Sequence, residues 1–316
     1  MNPPPRPRLD RNLVHRFGIV AVLLIISGLL AATTDSFATA ANLTNVARQV
    51  SINGILAVGV TFVLLTGGVD LSLGSVVALS GVACALFAHP GEHALIVPLA
   101  VGLLTGGACG LVNGLLVTRG GIAPFIVTLG MMTVARGLAL ILSGGKPVAN
   151  MSPALTDLAG DLGPVPIPLL CFGVVALASW LFLSRFRLGR HLYAVGGNEP
   201  AARAAGVSVP RVKLFAYGLC GLLTGLAGVV LAARITTGQP NAGQAYELDA
   251  IAAVVIGGTS LSGGIGSVLG TLLGVLLIGI INNGLDLLSV SSYYQAVIKG
   301  VIIVGAVWLD RRQARS

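Results

Sequence analysis

Apolar runs of about twenty residues recur from one end of this chain to the other, and they constrain its fold more than any other feature. The hydrocarbon core of a bilayer is roughly 30 Å thick, so a helix that crosses it needs about 20 apolar residues. Ten segments approach that pattern: Phe17–Thr34, Val46–Thr66, Leu71–Ala88, Ala94–Val117, Ile122–Leu142, Ile167–Leu183, Val212–Ala233, Leu248–Gly258, Ile265–Leu285 and Tyr293–Leu309. The eighth is too short to cross as one regular helix, unless it extends upstream through Gln244–Glu247 or is broken. Charged residues make up only 9% of the chain, against about 25% in a typical soluble domain. So few charges cannot cover a water-facing surface, and lipid must solvate most of it. The sequence therefore predicts an all-α polytopic transmembrane bundle of about ten spans. A single membrane domain would cover 17–310, flanked by tails at 1–16 and 311–316.

The net charge of +8 raises nucleic acid as a partner, but the basic residues are not interleaved with aromatics as base-stacking surfaces require. They cluster between the apolar runs. With the N-terminus inside, fourteen of the nineteen Lys and Arg fall in inner segments, namely Arg6 to Arg16, Arg119, Arg185 to Lys213, and Arg311 to Arg315. The positive-inside bias then predicts both termini in the cytoplasm. The first run carries an arginine-bearing leader and resembles a signal peptide. Its apolar stretch, at the long end for the hydrophobic part of such a peptide, favours an uncleaved helix. The four cysteines each stand alone in apolar runs, with no metal-ligand spacing.

Small residues recur every fourth position at Gly102, Gly106, Gly110 and Gly114, and again at Gly266, Gly270 and Gly274. That spacing lets lipid-immersed helices approach closely. Two glycine breaks interrupt the apolar pattern, at Thr66–Ser75 and at Gly257–Ser267. Both contain Gly-Gly-x-x-Leu-Ser-x-Gly, and Asn113-Gly-Leu is echoed by Asn283-Gly-Leu. Span parity puts both breaks on the same side of the membrane. Freed backbone groups cannot face lipid and are tolerated only against protein or a water-filled cavity, and transporter substrate sites are often built at such breaks. A tight hairpin turn is the alternative reading. Polar residues at membrane depth add to the candidate pathway: Asn53, Asp70, Ser72, Asn113, Ser260 and Asn283, with Arg136, Asn282 and Lys299 nearby. Intramembrane ionisable groups point by default to function, although Arg136 and Lys299 have stems long enough to snorkel, and asparagines also serve as interhelical hydrogen-bond partners.

No phosphate loop of the G-x-x-x-x-G-K-[ST] type occurs, and no nucleophile elbow or H-E-x-x-H pair. Nucleotide hydrolysis and an integral membrane enzyme therefore find no support in the sequence, and no cofactor is expected on this chain. His89 and His93 flank Pro90 and Gly91, which prevents the helix that would align them on a metal.

The order of several short motifs resembles one family, the ribose-type permeases of bacterial carbohydrate ABC importers. These motifs are Leu65-Thr-Gly-Gly-Val-Asp-Leu-Ser-Leu-Gly-Ser75, Ile122-Ala-Pro-Phe-Ile-Val-Thr-Leu-Gly-Met-Met132, Ala194-Val-Gly-Gly-Asn-Glu199, Gly238-Gln-Pro-Asn-Ala-Gly243 and Leu248-Asp-Ala-Ile-Ala-Ala253, the last running on into Gly257-Gly-Thr-Ser-Leu-Ser-Gly-Gly264. They extend from the second span to the C-terminus. The resemblance implies import of a monosaccharide, ribose or a similar sugar, across the inner membrane. It also implies a second permease copy, two cytoplasmic ATP-binding domains and a periplasmic sugar-binding protein.

Within the segment 185–213, Asn198 is placed to cap a short helix over Glu199 to Ala205, with Pro200 in its first turn and Gly206 ending it. The resemblance makes this the coupling helix that docks on the ATPase, through Asn198, Glu199, Ala201, Ala202, Arg203 and Gly206. A solvated basic loop that only sets topology is the other reading. The outer segment Thr237 to Asp249 carries Gln239, Asn241, Gln244, Glu247 and Asp249, which suit a binding-protein face or the entry to a pathway. The competing functions are an ion-coupled carrier and an ABC permease for another small polar solute, such as branched-chain amino acids or nucleosides. A carrier would call for an acidic relay through several spans. The sequence places only Asp70 and Asp249 near that depth.

Overall fold

The computed structural model describes residues 11–315, so residues 1–10 of the expected N-terminal tail and Ser316 lie outside the described residues. Thirteen α-helical segments make up most of it. They are α1 (Arg11–Thr33), α2 (Ala40–Leu65), α3 (Leu73–Leu86), α4 (Ile96–Thr118), α5 (Pro124–Ser143), the one-turn α6 (Pro153–Thr156), α7 (Ile167–Arg185), α8 (Arg187–Gly197), α9 (Glu199–Ala204), α10 (Val209–Ile235), α11 (Tyr246–Ile256), α12 (Val268–Leu287) and α13 (Ser292–Arg315). Among the described residues the only β-ladder is a hairpin of two-residue strands, β1 (Asp161–Leu162) and β2 (Val165–Pro166). It stands between α6 and α7, outside the expected spans, and Arg48 Nη2, 2.8 Å from both Asp161 carboxylate oxygens, ties it to the N-terminal half of α2.

Each of the ten expected spans coincides with a helix. Six of these, α2, α4, α5, α7, α10 and α12, are long and apolar enough to cross a membrane unaided, while α3 and the described apolar part of α1 are shorter. The molecule is thus a multi-helix membrane bundle. α2 is wrapped on nearly all sides, with every residue from Val50 to Leu65 buried. The outer helices α4, α5 and α7 instead expose leucine, isoleucine and valine side chains such as Leu104, Ile141 and Val174, the surface expected of helices that meet lipid.

α4 and α10 form the tightest pairing, and glycine makes it possible. A Cβ on Gly106 would fall 2.4 Å from Gly221 O, and one on Gly110 would fall 2.3 Å from Tyr217 O. The helices therefore meet backbone to backbone. The second glycine line does the same for α12 on α11, where Gly274 faces Ala253 and Gly270 faces Gly257.

α10, with 27 residues and a length of about 40 Å, serves as a ruler for depth. Tyr217 Oη donates to Val69 O at 3.2 Å, whereas Gly228, eleven residues further on, packs against Val77 and Ser80. The first residue of α3 therefore lies near the middle of the bundle, and α3 fills only the half toward the hairpin end. After α10 the chain turns back. Gly238 packs on Val82 and Ala85, and Gly243 packs on Gly74, so the segment 238–245 descends alongside α3 to mid-depth. There α11 begins, and it runs toward the end of the bundle that carries α8 and α9. The eighth segment is neither an extended span nor a full crossing. It is a half-helix, because the tertiary contact of Gly243 with Gly74 fixes its start at mid-depth.

The two glycine breaks lie on the same side, as parity required, and they touch. Gly264 N–H donates to Leu65 O at 3.0 Å. Gly196, at the end of α8, is pressed against the same carbonyl, and Gly197 against Gly264.

Candidate functional site

α3 and α11 start at the same level and run in opposite directions, so their N-termini face one another at mid-depth. A Cβ on Gly74 would lie 2.0 Å from Gly243 O and 2.5 Å from Glu247 Oε2. Glycine is thus required for this approach, and the Glu247 carboxylate rests on the first turn of α3 while belonging to the first turn of α11. Helix N-termini favour negative charge, which accounts for a carboxylate at this depth. Asp70 occupies an equivalent position just before α3. It is 2% exposed, and its Oδ1 accepts from the Ser72 N–H at 2.9 Å and from Ser72 Oγ at 2.6 Å. Asn113 Nδ2 donates to Ser72 Oγ at 3.1 Å and reaches Asp70 Oδ2 at 3.5 Å. The sequence candidates Asp70, Ser72 and Asn113 are therefore one cluster, which closes the N-terminal end of the half-helix.

Asp249, in the first turn of α11 and 5% exposed, accepts from Lys299 Nζ at 2.9 Å and from Asn282 Nδ2 at 3.1 Å. Lys299 does not snorkel; it is drawn inward to neutralise a buried carboxylate. Arg136 likewise turns inward. Its Nη1 donates to Pro240 O at 2.5 Å and to Ala242 O at 2.9 Å, two carbonyls of the descending segment that have no helix to pair with. At membrane depth such carbonyls must be satisfied by protein, and the arginine pins the segment in place. Arg136 and Lys299 carry more of the architecture than the sequence alone shows, because nothing in the local pattern names their partners.

A cavity of about 500 Å³ opens beside this junction, lined by Ser75, Met132, Thr133, Arg136, Gln244 and Glu247 among others. Of the residues singled out in the sequence, Arg136, Gln244 and Glu247 line it. Gln239 is half-buried above it, and Asn241 is exposed on the descending segment. Asn53 is buried in α2. Asn283 is engaged elsewhere, in a reciprocal amide pair with Asn42 of α2 at 3.0 and 2.7 Å, an interhelical clasp away from the cavity. Ser260 accepts from the Ser262 N–H at 3.2 Å and shapes the second break.

At the far end, α9 forms where its capping residues place it. Asn198 Oδ1 accepts from the Ala201 N–H at 2.9 Å, and Gly206 ends the turn with φ +83°. Ala202 is buried beneath the helix, while Ala201 and Arg203 face outward. Glu199 holds Lys213 at 2.7 Å and Arg203 at 2.9 Å. The Lys213 ammonium, and Arg203 more weakly, hold the Glu199 carboxyl below its ordinary range. The sequence did not reveal that Gly196 and Gly197, immediately before α9, contact both glycine breaks. The recurrence of Gly-Gly in all three places is the one signal that pointed there.

A family model described as the permease component of branched-chain amino acid transport systems matches residues 42–307. The ribose import permease protein RbsC of Escherichia coli strain K12 is 45% identical over 306 residues, covering 95% of each chain. Its counterpart from Bacillus subtilis strain 168 is also 45% identical, over 307 residues, covering 96% of this chain and 95% of the relative. The D-allose transport system permease protein AlsC of Escherichia coli strain K12 is 39% identical over 296 residues, covering 93% of this chain and 90% of the relative. No solved structure gives a match. Fold, membrane-facing surface and relatives agree, and the chain belongs to this family of transport-system permease components.

Proposed function

We propose that this chain is the membrane-spanning permease subunit of an ABC importer for a monosaccharide, ribose or a sugar close to it. Relatives that import ribose and D-allose along nearly the whole length support the substrate class. The observation that carries the mechanism is the open cavity, bearing several polar side chains, where two half-helices meet. A cavity bearing Arg136, Glu247 and Gln244 cannot face lipid at mid-depth. A second permease copy across this face would enclose it as a water-filled passage, and hydroxyls of a sugar suit its mixed donors and acceptors. No deep, closed pocket is needed, because selectivity can rest with a separate binding protein.

In this reading the α9 end is cytoplasmic. α1 begins there and α13 runs toward it, so both termini are cytoplasmic. The chain then makes ten traversals. Eight are single helices, and two combine an extended half with a half-helix, namely residues 66–72 with α3 and 238–245 with α11. The membrane domain spans 17–310, with short tails on either side. α9, presented on the segment 185–213, docks on a cytoplasmic ATP-binding subunit that hydrolyses ATP, while the opposite end receives a sugar-loaded periplasmic binding protein. No cofactor is assigned to this chain, and nucleic acid plays no part.

The test is copurification of the tagged chain from mild detergent, followed by ATPase assay with candidate pentoses. Recovery of a nucleotide-binding subunit whose ATPase rises with a sugar-loaded binding protein is the expected result. A chain that purifies alone and moves solute in liposomes without ATP would be a secondary carrier, and the reading would fall.

A further inference from the structure

The contact surface of α4 and α10 has two sides. On one, Gly106, Gly110, Gly221 and Gly225 bring the backbones together. On the other, Gly107 and Gly218 leave a trough of about 720 Å³, walled by Leu104, Leu111 and Leu222. These leucines are 68%, 47% and 40% exposed, and a Cβ on Gly107 would meet nothing nearer than Leu222 Cβ at 3.9 Å. The trough ends at Arg211. From Leu222 to Arg211 is eleven residues of helix, about 16 Å, or roughly half the hydrocarbon thickness of a bilayer. A partner helix packed here would run the full depth. A groove one leaflet deep, apolar along its length and cationic at its interfacial end, has the proportions of a single lipid.

The charge at the mouth is doubled. Gly110 packs on Tyr217 and Gly114 on Leu214, and continuing that antiparallel register sets Arg119, which caps α4, opposite Ser208 and Val209, less than one turn of α10 from Arg211. Both arginines are exposed, and neither is in an ion pair among the described residues. The nearest acid in sequence, Glu199, is already engaged by Lys213 and Arg203. We infer that this trough is a site for an anionic phospholipid, with one acyl chain over Gly107 and Gly218 and the headgroup phosphate between Arg211 and Arg119. Guanidinium forks match phosphate oxygens, and basic pockets at the ends of membrane helices recognise anionic headgroups.

Native mass spectrometry of the full-length chain, presented with equal amounts of phosphatidylglycerol and phosphatidylethanolamine, tests this. The wild type should retain phosphatidylglycerol preferentially. Arg211→Gln should reduce that retention about fivefold, the share expected of one arginine near the headgroup plane. Gly107→Leu should fill the trough and reduce retention of both lipids. The position of Arg211 at the exposed mouth keeps its variant informative about binding rather than folding, and a melting curve in the same detergent verifies this. Equal retention of the two lipids by the wild type, or unchanged retention in both variants, overturns the proposal. So does homotypic cross-linking of Leu104→Cys between copies in liposomes, which would make the trough an interface with a second copy.

Discussion

Five ionisable side chains stand inside the bundle without snorkelling, and each is accounted for by a specific partner. Asp249 has Lys299 and Asn282, Glu247 has the first turn of α3, and Arg136 has two free carbonyls. Asp70 has no cation among the described residues and relies on the Ser72 N–H, Ser72 Oγ and, at 3.5 Å, Asn113 Nδ2. Removing one member of a buried pair strands the other charge, at a cost of about 3–5 kcal/mol. Lys299→Met should therefore sharply lower the unfolding temperature in detergent. Asp249→Asn combined with Lys299→Met should recover most of the loss, since no charge remains. A Lys299→Met protein as stable as wild type would mean that the pair does not form. Arg136→Leu is a different case, because it leaves the Pro240 and Ala242 carbonyls unmet, at about 1–3 kcal/mol each. Arg136→Lys keeps a donor in reach, so thermal unfolding should rank wild type, then lysine, then leucine. An indifferent leucine variant would show that the descending segment is held by other contacts.

At the level of elements, local chemistry was legible and depth was not. The cap of α9 could be read in advance because Asn198, Pro200 and Gly206 act within nine consecutive residues. The helical runs could be read because composition alone requires them. α11 could not, since an eleven-residue helix starting at mid-depth has the same apolar pattern as a truncated span, and only the meeting of Gly243 with Gly74 sets its level. The candidate site was legible in part for the same reason. Asp70, Ser72 and Asn113 converge as a cluster, yet Asn283 turns out to clasp Asn42, a partner 241 residues away. α9 also yields a prediction with a sign. The folded-state carboxyl of Glu199 lies below its ordinary value. Its contribution is therefore present above pH 4.5, the reference value, and is lost as pH falls through the lower, folded value. The carboxyl is partly exposed, so Glu199→Gln should cost under about 1 kcal/mol and should flatten the acid limb of the stability profile. Gly206→Arg must place a side chain at φ +83°, at about 1–3 kcal/mol. It should uncouple ATPase activity from transport, and sugar-stimulated ATPase that stays coupled in this variant would remove α9 from the docking role.

Across the whole molecule, two glycine pairs and the end of α2, far apart in sequence, make a single contact point. Leu65 and Gly67 end the first crossing, Gly263 and Gly264 lie in the second break, and Gly196 and Gly197 close α8 directly before α9. Backbone meets backbone there, with no side chains to absorb movement, which predicts that a displacement of α9 is passed to both breaks and, through them, to both half-helices beside the cavity. Two adjacent glycines separate this idea from a general intolerance of substitution. A Cβ on Gly196 would fall 1.9 Å from Leu65 O, whereas a Cβ on Gly197 would meet nothing within 4 Å. Gly196→Ala must therefore push the end of α8 away from the first break, while Gly197→Ala leaves the contact intact. With the chain reconstituted alongside the ATP-hydrolysing subunit proposed for it, the ATP consumed per sugar moved should rise for Gly196→Ala and stay at the wild-type ratio for Gly197→Ala. Equal ratios for the two variants would mean that the glycine contact holds the bundle together without carrying the stroke, and coupling would then have to travel through the α9–α10 side chains Glu199 and Lys213 instead.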